Sequence, residues 1–338
     1  MEWSKGISAE YYACYVDPVS WRDAERFEIK KGSISKVGDG LRETADITCT
    51  SYETNVERWI RVYIIAKQGA DIEREALFTG MTSCPQIDKD GTYSEYPLEC
   101  YSVLKPCDDL PLQRGWYAPS GSSGGMIIER LLKPTPAPVI IEGESPLLTQ
   151  SIVAEDKETH LTMIDKILEI INWRLYIDGN GTIHVTPKSK EIVATFGINY
   201  DIMETSINIE YDWYKCPNVV SVTSDGVTAI AKDESPDSPL STVRRGREVW
   251  KIESDSDMND GEGLVEYTFR KLREEQAYLT KISYDRRFEP NVHVGDVIYL
   301  DYPEREGEQW LVGKYVVETQ DLELSYGITV SEDVYREN

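Results

Sequence analysis

The stretch LTMIDKILEIINWRLYIDGNGTIHVTP, residues 161–187, changes its hydrophobic period halfway along. Leu161, Ile164, Ile167, Leu168 and Ile171 recur every three or four residues, which gathers them into one apolar stripe on a helix. Thr159, just upstream, carries the side-chain oxygen an N-cap needs. From 174 to 186 the pattern is that of a hairpin around Asp178-Gly179-Asn180-Gly181, residues that tolerate the positive φ of a tight turn. The spacing predicts a helix that ends near Trp173 and runs straight into a hairpin, a small α/β module.

Upstream of this module the chain breaks into short strand-like runs at 9–16, 27–30, 33–37, 45–52, 59–67, 76–81 and 92–104. Turn residues at Gly32, Gly38-Asp39-Gly40, Gly69, Gly80 and Asp90-Gly91 separate most of them, as in an antiparallel meander. Between 59 and 66 apolar residues fall on both faces, so that strand is expected to be covered on both sides. Residues 106–146 turn rich in Pro, Gly and Ser around a short helix at 126–132, which reads as linker and turn. Downstream, strand patterns return at 206–214, 219–224 and 227–231, with a turn at Asp225-Gly226, followed by a polar stretch at 232–247 expected to be an exposed loop. A helix at about 261–276 precedes strands at 278–284, 297–302, 310–318 and 322–330. The expected fold is mainly β with an α+β insertion: a first β-barrel domain over 1–105, linker and α/β module over 106–195, and a second β-barrel domain, interrupted by a loop and a helix, over 196–338.

A chain of 338 residues is long enough for two or three such domains. Its 36 basic and 60 acidic side chains give a formal charge of −24, a field that repels polyanions and anionic lipid. Stable nucleic-acid binding is therefore not expected. The first residues carry no basic stretch followed by an apolar run, and no window is apolar enough to cross a bilayer, so neither a signal peptide nor a membrane segment is expected. Cysteines at 14, 49, 84, 100, 107 and 216 form no Cys-x-x-Cys pair and accompany only three histidines. That argues against structural zinc and for reduced thiols. Tyr (21) and Trp (8) far outnumber Phe (5), which suits half-wet sheets and subunit contacts.

No chemistry-bearing motif holds up at this level. Gly121-Ser122-Ser123-Gly124-Gly125 matches the letters of a G-x-S-x-G nucleophile elbow, yet no strand pattern precedes it, so capping serines on a loop are expected. Asp255, Asp257, Asn259 and Glu266 fall at calcium-loop positions, but the required glycine comes one residue late, at Gly261 behind Asp260. An acidic lead-in to the following helix is the expectation. Arg244-Arg245-Gly246-Arg247 is too short for a phosphate site and fits a salt-bridged contact better. The phosphate loop G-x-x-x-x-G-K-[ST] is absent. No catalytic residue, cofactor or metal ligand is nominated, and the chain is not expected to be an enzyme.

Three segments together resemble the baseplate hub proteins of contractile phage tails, including the late-control protein D group and the hub proteins of defective Bacillus prophages. The first is 167–187, with Trp173, Tyr176, Asp178, Gly179 and Gly181; the second is 278–302, with Pro290 and Val294-Gly295-Asp296-Val297; the third is Gly32-Ser33-Ile34-Ser35 followed by Ala45-Asp46-Ile47-Thr48. The resemblance implies a homotrimer in which each chain supplies two similar tail-tube-like barrels, so that three chains present six barrels to a sixfold tail tube or tube-initiator protein. Below, the ring would meet a threefold central spike protein, with other baseplate proteins around it, in a virion or tail-like particle assembled in the bacterial cytoplasm. DNA would pass through the lumen without stable binding, and an acidic lumen would help it slide. No residue of this chain matches a catalytic motif of the family, so none is carried over, and cell-wall cleavage would belong to a partner. A reading from a different class is a glycan-binding β-protein of a tail or cell surface, since Tyr and Trp faces stack on sugar rings.

Overall fold

The structure, a computed structural model, describes residues 1–83, 85–149, 151–197, 202–224, 226–254, 263–302 and 311–337. Six of its strands close on themselves. Ser8–Val16 pairs with Trp59–Gln68, and Asp71–Thr82, Tyr93–Ser102, Glu43–Cys49 and Asp23–Val37 follow in turn, every pair antiparallel; Asp23–Val37 then returns to Ser8–Val16. Such closure leaves no free edge within the ring and buries one apolar face around a common core of residues such as Ile34, Ile47, Ile60, Val62 and Phe78. The Trp59–Gln68 strand is indeed covered on both sides. Ile60, Val62 and Ile64 point into the ring, while Arg61 and Tyr63 are buried on the other face.

Two glycines read as turns lie inside strands. A Cβ on Gly32 would come 2.8 Å from the Asp46 carbonyl oxygen, and one on Gly80 would come 2.3 Å from that of Tyr101. Their lack of a side chain serves close approach of neighbouring strands rather than chain reversal. Asp23–Val37 is one strand where the sequence pattern shows two runs, at 27–30 and 33–37. A bulge between Ile29 and Lys31 resets its alternation, so Phe27 and Ile29 face the core before it and Ile34 after it.

A second array of six strands runs in the order Met203–Tyr211, Thr280–Arg287, Ile328–Arg336, Gly313–Leu324, Val297–Leu300, Ile192–Phe196. Only the last pairing is parallel, and among the described residues the first and last strands share no ladder. Phe196, Ile282, Tyr284, Ile298, Tyr315 and Val334 fill its core. The strands expected at 310–318 and 322–330 are one long strand and the start of another, because a bulge between Val317 and Thr319 shifts the inward set from Tyr315 and Val317 to Gln320, Leu322 and Leu324.

The two arrays are fused along one seam. Gly32–Val37, the second half of its strand, pairs antiparallel with Thr319–Leu324, so two long strands each serve both arrays. Leu322, Leu324, Ile328 and Val330 accordingly pack into the core of the first ring.

Between them lies the module read from 161–187. Helix His160–Ile170 starts at Thr159, whose side chain accepts from Thr162 N–H while Thr162 returns a bond to the Thr159 backbone, a capping box. Strands Trp173–Ile177 and Ile183–Pro187 form the hairpin, and Val139–Ile141 adds a parallel third strand. The Pro-, Gly- and Ser-rich stretch is packed into this unit: helix Gly124–Leu131 buries Ile127, Ile128 and Leu131 in the module core, and Gly124 sits so close to Ile171 that a Cβ would be 2.9 Å away.

A further small sheet, Val227–Lys232, Val219–Ser224 and Trp250–Ser254, is backed by helix Leu264–Ala277 through Val220, Val222, Ala231, Tyr267 and Leu272. Residues 232–247 are less of a free loop than their polarity suggested. The Asn218 side chain donates to the Leu240 and Arg247 carbonyls and accepts from Val249 N–H, and Leu240 and Ser241 are buried. A polar stretch is held here by one buried amide, which hydropathy does not reveal.

Candidate functional site

The hairpin tip docks on the outer face of the first ring. A Cβ on Gly179 would sit 1.7 Å from the Ala76 carbonyl oxygen, and one on Gly181, at φ +77°, 2.8 Å from the Thr79 side chain. The carbonyl of Gly179 accepts from Thr79 Oγ1 at 2.8 Å, and that of Asn180 from Arg61 Nη2 at 2.9 Å and Trp21 Nε1 at 3.0 Å. Arg61 is aimed by Asp23 at 2.7 Å and Thr79 at 2.9 Å, and Asp178 closes the turn by accepting from Thr182 N–H at 2.8 Å.

The base of the hairpin grips the second array. Arg174 donates to Asp296 at 2.6 Å, and Gly295, at φ +86°, lets the Arg174 side chain pass where a Cβ would be 3.3 Å from it. The Tyr176 ring is stacked between His184, centroids 4.7 Å apart, and His293, 4.6 Å apart. Pro290 lies with Asp178, Gly179, Asn180 and His293 around a cleft of about 600 Å³. Of the residues picked out by resemblance, Tyr176, Asp178, Gly179, Gly181, Pro290, Gly295 and Asp296 meet at this joint, while Trp173 is in the module core. Sequence reasoning missed Trp21, Asp23, Arg61, Thr79 and His293, since each meets a partner far along the chain.

Electrostatics at the joint follow from burial. Desolvation, with the charges of Lys36 and Arg174 and the neighbouring His184, holds the His293 imidazole down to about 3. Glu43, fully buried and 3.6 Å from Lys36, is pushed up to about 7 by desolvation, which outweighs that lysine.

A second feature spans the molecule. The strands on either side of the seam present alternate residues to one outer face, and their registers line these up in rows. One row reads Glu99, Asp46, Ser33, Glu323, Thr329, Arg287; the next reads Tyr101, Thr44, Ser35, Asp321, Ser331, Asp285; a third continues Val37, Thr319, Asp333, Ser283, Asn208. The intervening residues Ile34, Ala45, Leu98, Leu322 and Val330 are buried beneath. The result is a sheet face of hydroxyls and carboxylates that crosses both arrays without a break. It carries an open cleft of about 620 Å³ over the seam, lined by Lys31, Asp46, Glu99, Asp321 and Glu323 among others. Among the charged side chains of these rows six carboxylates stand against one arginine, so the face repels polyanions.

The remaining sequence candidates have local structural roles. Ser123 accepts from Met126 N–H at 3.4 Å and caps its helix. Arg245 donates to the carbonyls of Cys216, 2.8 Å, and Trp213, 2.6 Å, and Arg247 lies over the Tyr214 ring; this holds one turn of the chain and is not a phosphate cradle. Asp255, Asp257, Asn259 and Asp260 lie outside the described residues, and Glu266 is in the first turn of its helix. Cys14, Cys49, Cys100, Cys107 and Cys216 are buried free thiols, and Cys84 lies outside the described residues. Among the described residues no group of three or more His, Cys, Asp or Glu is placed to hold a metal, and no helix is long and apolar enough to cross a membrane.

No protein-family model matches the sequence, and no curated protein matches it. Solved structures do. The chain superposes on the 43 kDa tail protein of prophage MuSo2 from Shewanella oneidensis with a TM-score of 0.71 at 14% identity, covering 98% of each chain. It superposes on a tail protein from Neisseria meningitidis with a TM-score of 0.70 at 13% identity, over 98% of this chain and 97% of that one. A prophage tail protein from Listeria monocytogenes follows at 0.56 and 12%, over 96% and 94%. At such identities the likeness concerns the backbone alone, and over almost its whole length this mainly β chain has the fold of these tail proteins.

Proposed function

We propose that the chain is a structural baseplate hub subunit of a contractile phage tail or tail-like particle, with the polar sheet face turned toward a central lumen. The observation that carries this reading is that face, which is wide, unbroken across both arrays, and acidic. Two six-strand arrays fused at a seam give each chain two comparable blocks. Three chains joined by heterologous contacts then offer six blocks around one axis, matching a sixfold tube or tube-initiator protein on one side and a threefold spike on the other. In this reading the division is a first barrel over 1–105, linker and module over 106–195, and a second barrel over 196–338, with other baseplate proteins bound outside. The role is one of shape and requires no turnover, cofactor or stable hold on nucleic acid; a genome would slide past carboxylates that repel its phosphates.

Native mass measurement on the purified protein and on isolated particles tests this. The expected species is three copies of the 38.5 kDa chain, co-purifying with tube and spike proteins. A monomer that turns over a small substrate in a polar pocket would count heavily against it.

One observation favours the glycan-binding alternative: Tyr211 and Trp213 stack at 6.4 Å and are exposed, and the neighbouring Tyr214 is 84% exposed. Glycan-array binding that disappears in Trp213→Ala would support it, and binding that survives the substitution would remove its basis.

A further inference from the structure

We propose that the contact between the hairpin and the 288–296 loop is an acid-opened latch, with the His293 ring as its pin. The ring is wedged at a boundary between three parts of the chain. It lies on one face of Tyr176 while His184 covers the other, so loop and hairpin are held by a three-ring stack. Lys36 faces it from Asp23–Val37, Arg174 from Trp173–Ile177, and His184 from Ile183–Pro187; Asp178 lies at the adjoining turn, and its own loop contributes Glu289 and Asp296. Both Asp296 oxygens are already engaged, one by Arg174 at 2.6 Å and the other by the His293 backbone N–H at 2.8 Å. Beside the ring lies a narrow cavity of about 30 Å³, with Lys36, Arg286 and Gln320 also in its wall. That is room for about one water and not for a hydrated counter-ion.

A neutral imidazole suits this place and a cation does not. Protonation would put a third positive charge between Lys36 and Arg174, where burial already disfavours the charged form. In the closed latch the group titrates near 3, against 6.5 when exposed. Opening therefore takes up a proton anywhere between those limits, and each pH unit of acid in the window favours the open form by about tenfold. Glu43 works in the opposite direction, since its raised value means that the closed state holds a proton between pH 4.5 and about 7. The contribution of His293 is therefore read as a ratio between the parent and a variant that keeps Glu43. When the latch opens, the seam ladder between Gly32–Val37 and Thr319–Leu324 remains, so the arrays stay joined while losing their brace. This inference holds whether or not the chain forms a ring.

The test is hydrogen exchange read by mass spectrometry on the full chain, comparing the parent with His293→Phe, which keeps a ring against Tyr176 but takes up no proton. Opening of 174–186 and 288–296 is expected to be alike in the two at pH 7 and about thirtyfold greater in the parent at pH 5, with 60–66 equally protected in both. An equal acid response in both proteins overturns the proposal. Should the phenylalanine variant not fold, His293→Gln replaces it. An NMR titration of the parent histidines decides independently: a His293 signal still neutral at pH 5 supports the latch, and one titrating near 6.5 overturns it.

Discussion

Gly179 is where a single atom decides whether the hairpin can dock. Its missing Cβ leaves room for the Ala76 carbonyl, which would otherwise sit 1.7 Å away, and that obstacle is backbone that cannot rotate aside. Gly179→Ala should therefore cost about 2–4 kcal/mol, read as a lower urea midpoint, because the tip must lift off the outer face of the ring. Gly91→Ala serves as the comparison. There φ is +61° with open space around it, so only backbone strain of roughly 1 kcal/mol applies. Equal losses at the two positions would show that the close approach does not matter. Glu43 gives a prediction with a pH sign. Its carboxyl, ordinarily near 4.5, titrates at about 7 in the fold, so the folded state holds the extra proton between those values and stability falls as pH rises through 7. Glu43→Gln is neutral throughout and should gain on the order of 3 kcal/mol over the parent at pH 8, with little difference at pH 4.5. Urea midpoints at both values check it, and an equal shift at both would sink it. At this scale the sequence was half legible. The letters marked Gly179 and Gly181 as turn residues, but Ala76 and Thr79, the reason no other residue fits, lie on a strand of the first ring.

Among whole elements, legibility tracks how local the constraint is. The start of helix His160–Ile170 and the turn of its hairpin could be read closely, because capping, period and turn chemistry are fixed within a few neighbours, while the helix ends at Ile170, short of the expected Trp173, which opens the strand. Asp23–Val37 and Gly313–Leu324 were misread at their bulges, where alternation shifts by one residue to let a strand leave one array and join the other. Strand Ile192–Phe196 gave no usable signal, for its residues are mostly exposed and among the described residues it pairs with the distant Val297–Leu300. The second array also carries a constraint that no pattern shows. Arg286 and Glu332 pair across adjacent strands, both essentially inaccessible, and Glu332 also accepts from Tyr284 and Gln320, each at 2.7 Å. Removing one charge leaves the other buried and uncompensated, so Glu332→Gln should cost about 3–5 kcal/mol in urea unfolding. The double replacement Arg286→Met with Glu332→Leu should recover part of that loss, short of all of it because Tyr284 keeps a hydroxyl without its acceptor. A double variant no better than the single one would mean that the charge pair is not what sets the cost.

At the level of the molecule, the meander of short strands pointed to a barrel over 1–105, but the seam could not be seen in the sequence, because it joins residues from opposite ends: Ser33 stands beside Glu323, and Ser35 beside Asp321. What the sequence did contain was the chemistry of the face those pairings build, an alternation of Ser, Thr, Asp and Glu with buried Ile, Ala and Leu, together with a charge of −24 whose location only the fold reveals. The proposed lumen makes a prediction about access. Cysteines placed at Ser33 and Glu323, both exposed in the single chain, should react at once with a bulky polyethylene-glycol maleimide when the protein is dissociated. In the assembled particle they should be shielded from that reagent yet remain open to a small maleimide that can enter the lumen. A cysteine at Tyr117, exposed on the module and away from the face, provides the contrast. Neither Ser33→Cys nor Glu323→Cys touches the core, so folding should be unaffected within about 0.5 kcal/mol, and a change in labelling then reports position rather than damage. If the bulky reagent reaches 33 and 323 equally well before and after assembly, the polar face points outward and the acidic rows need another explanation.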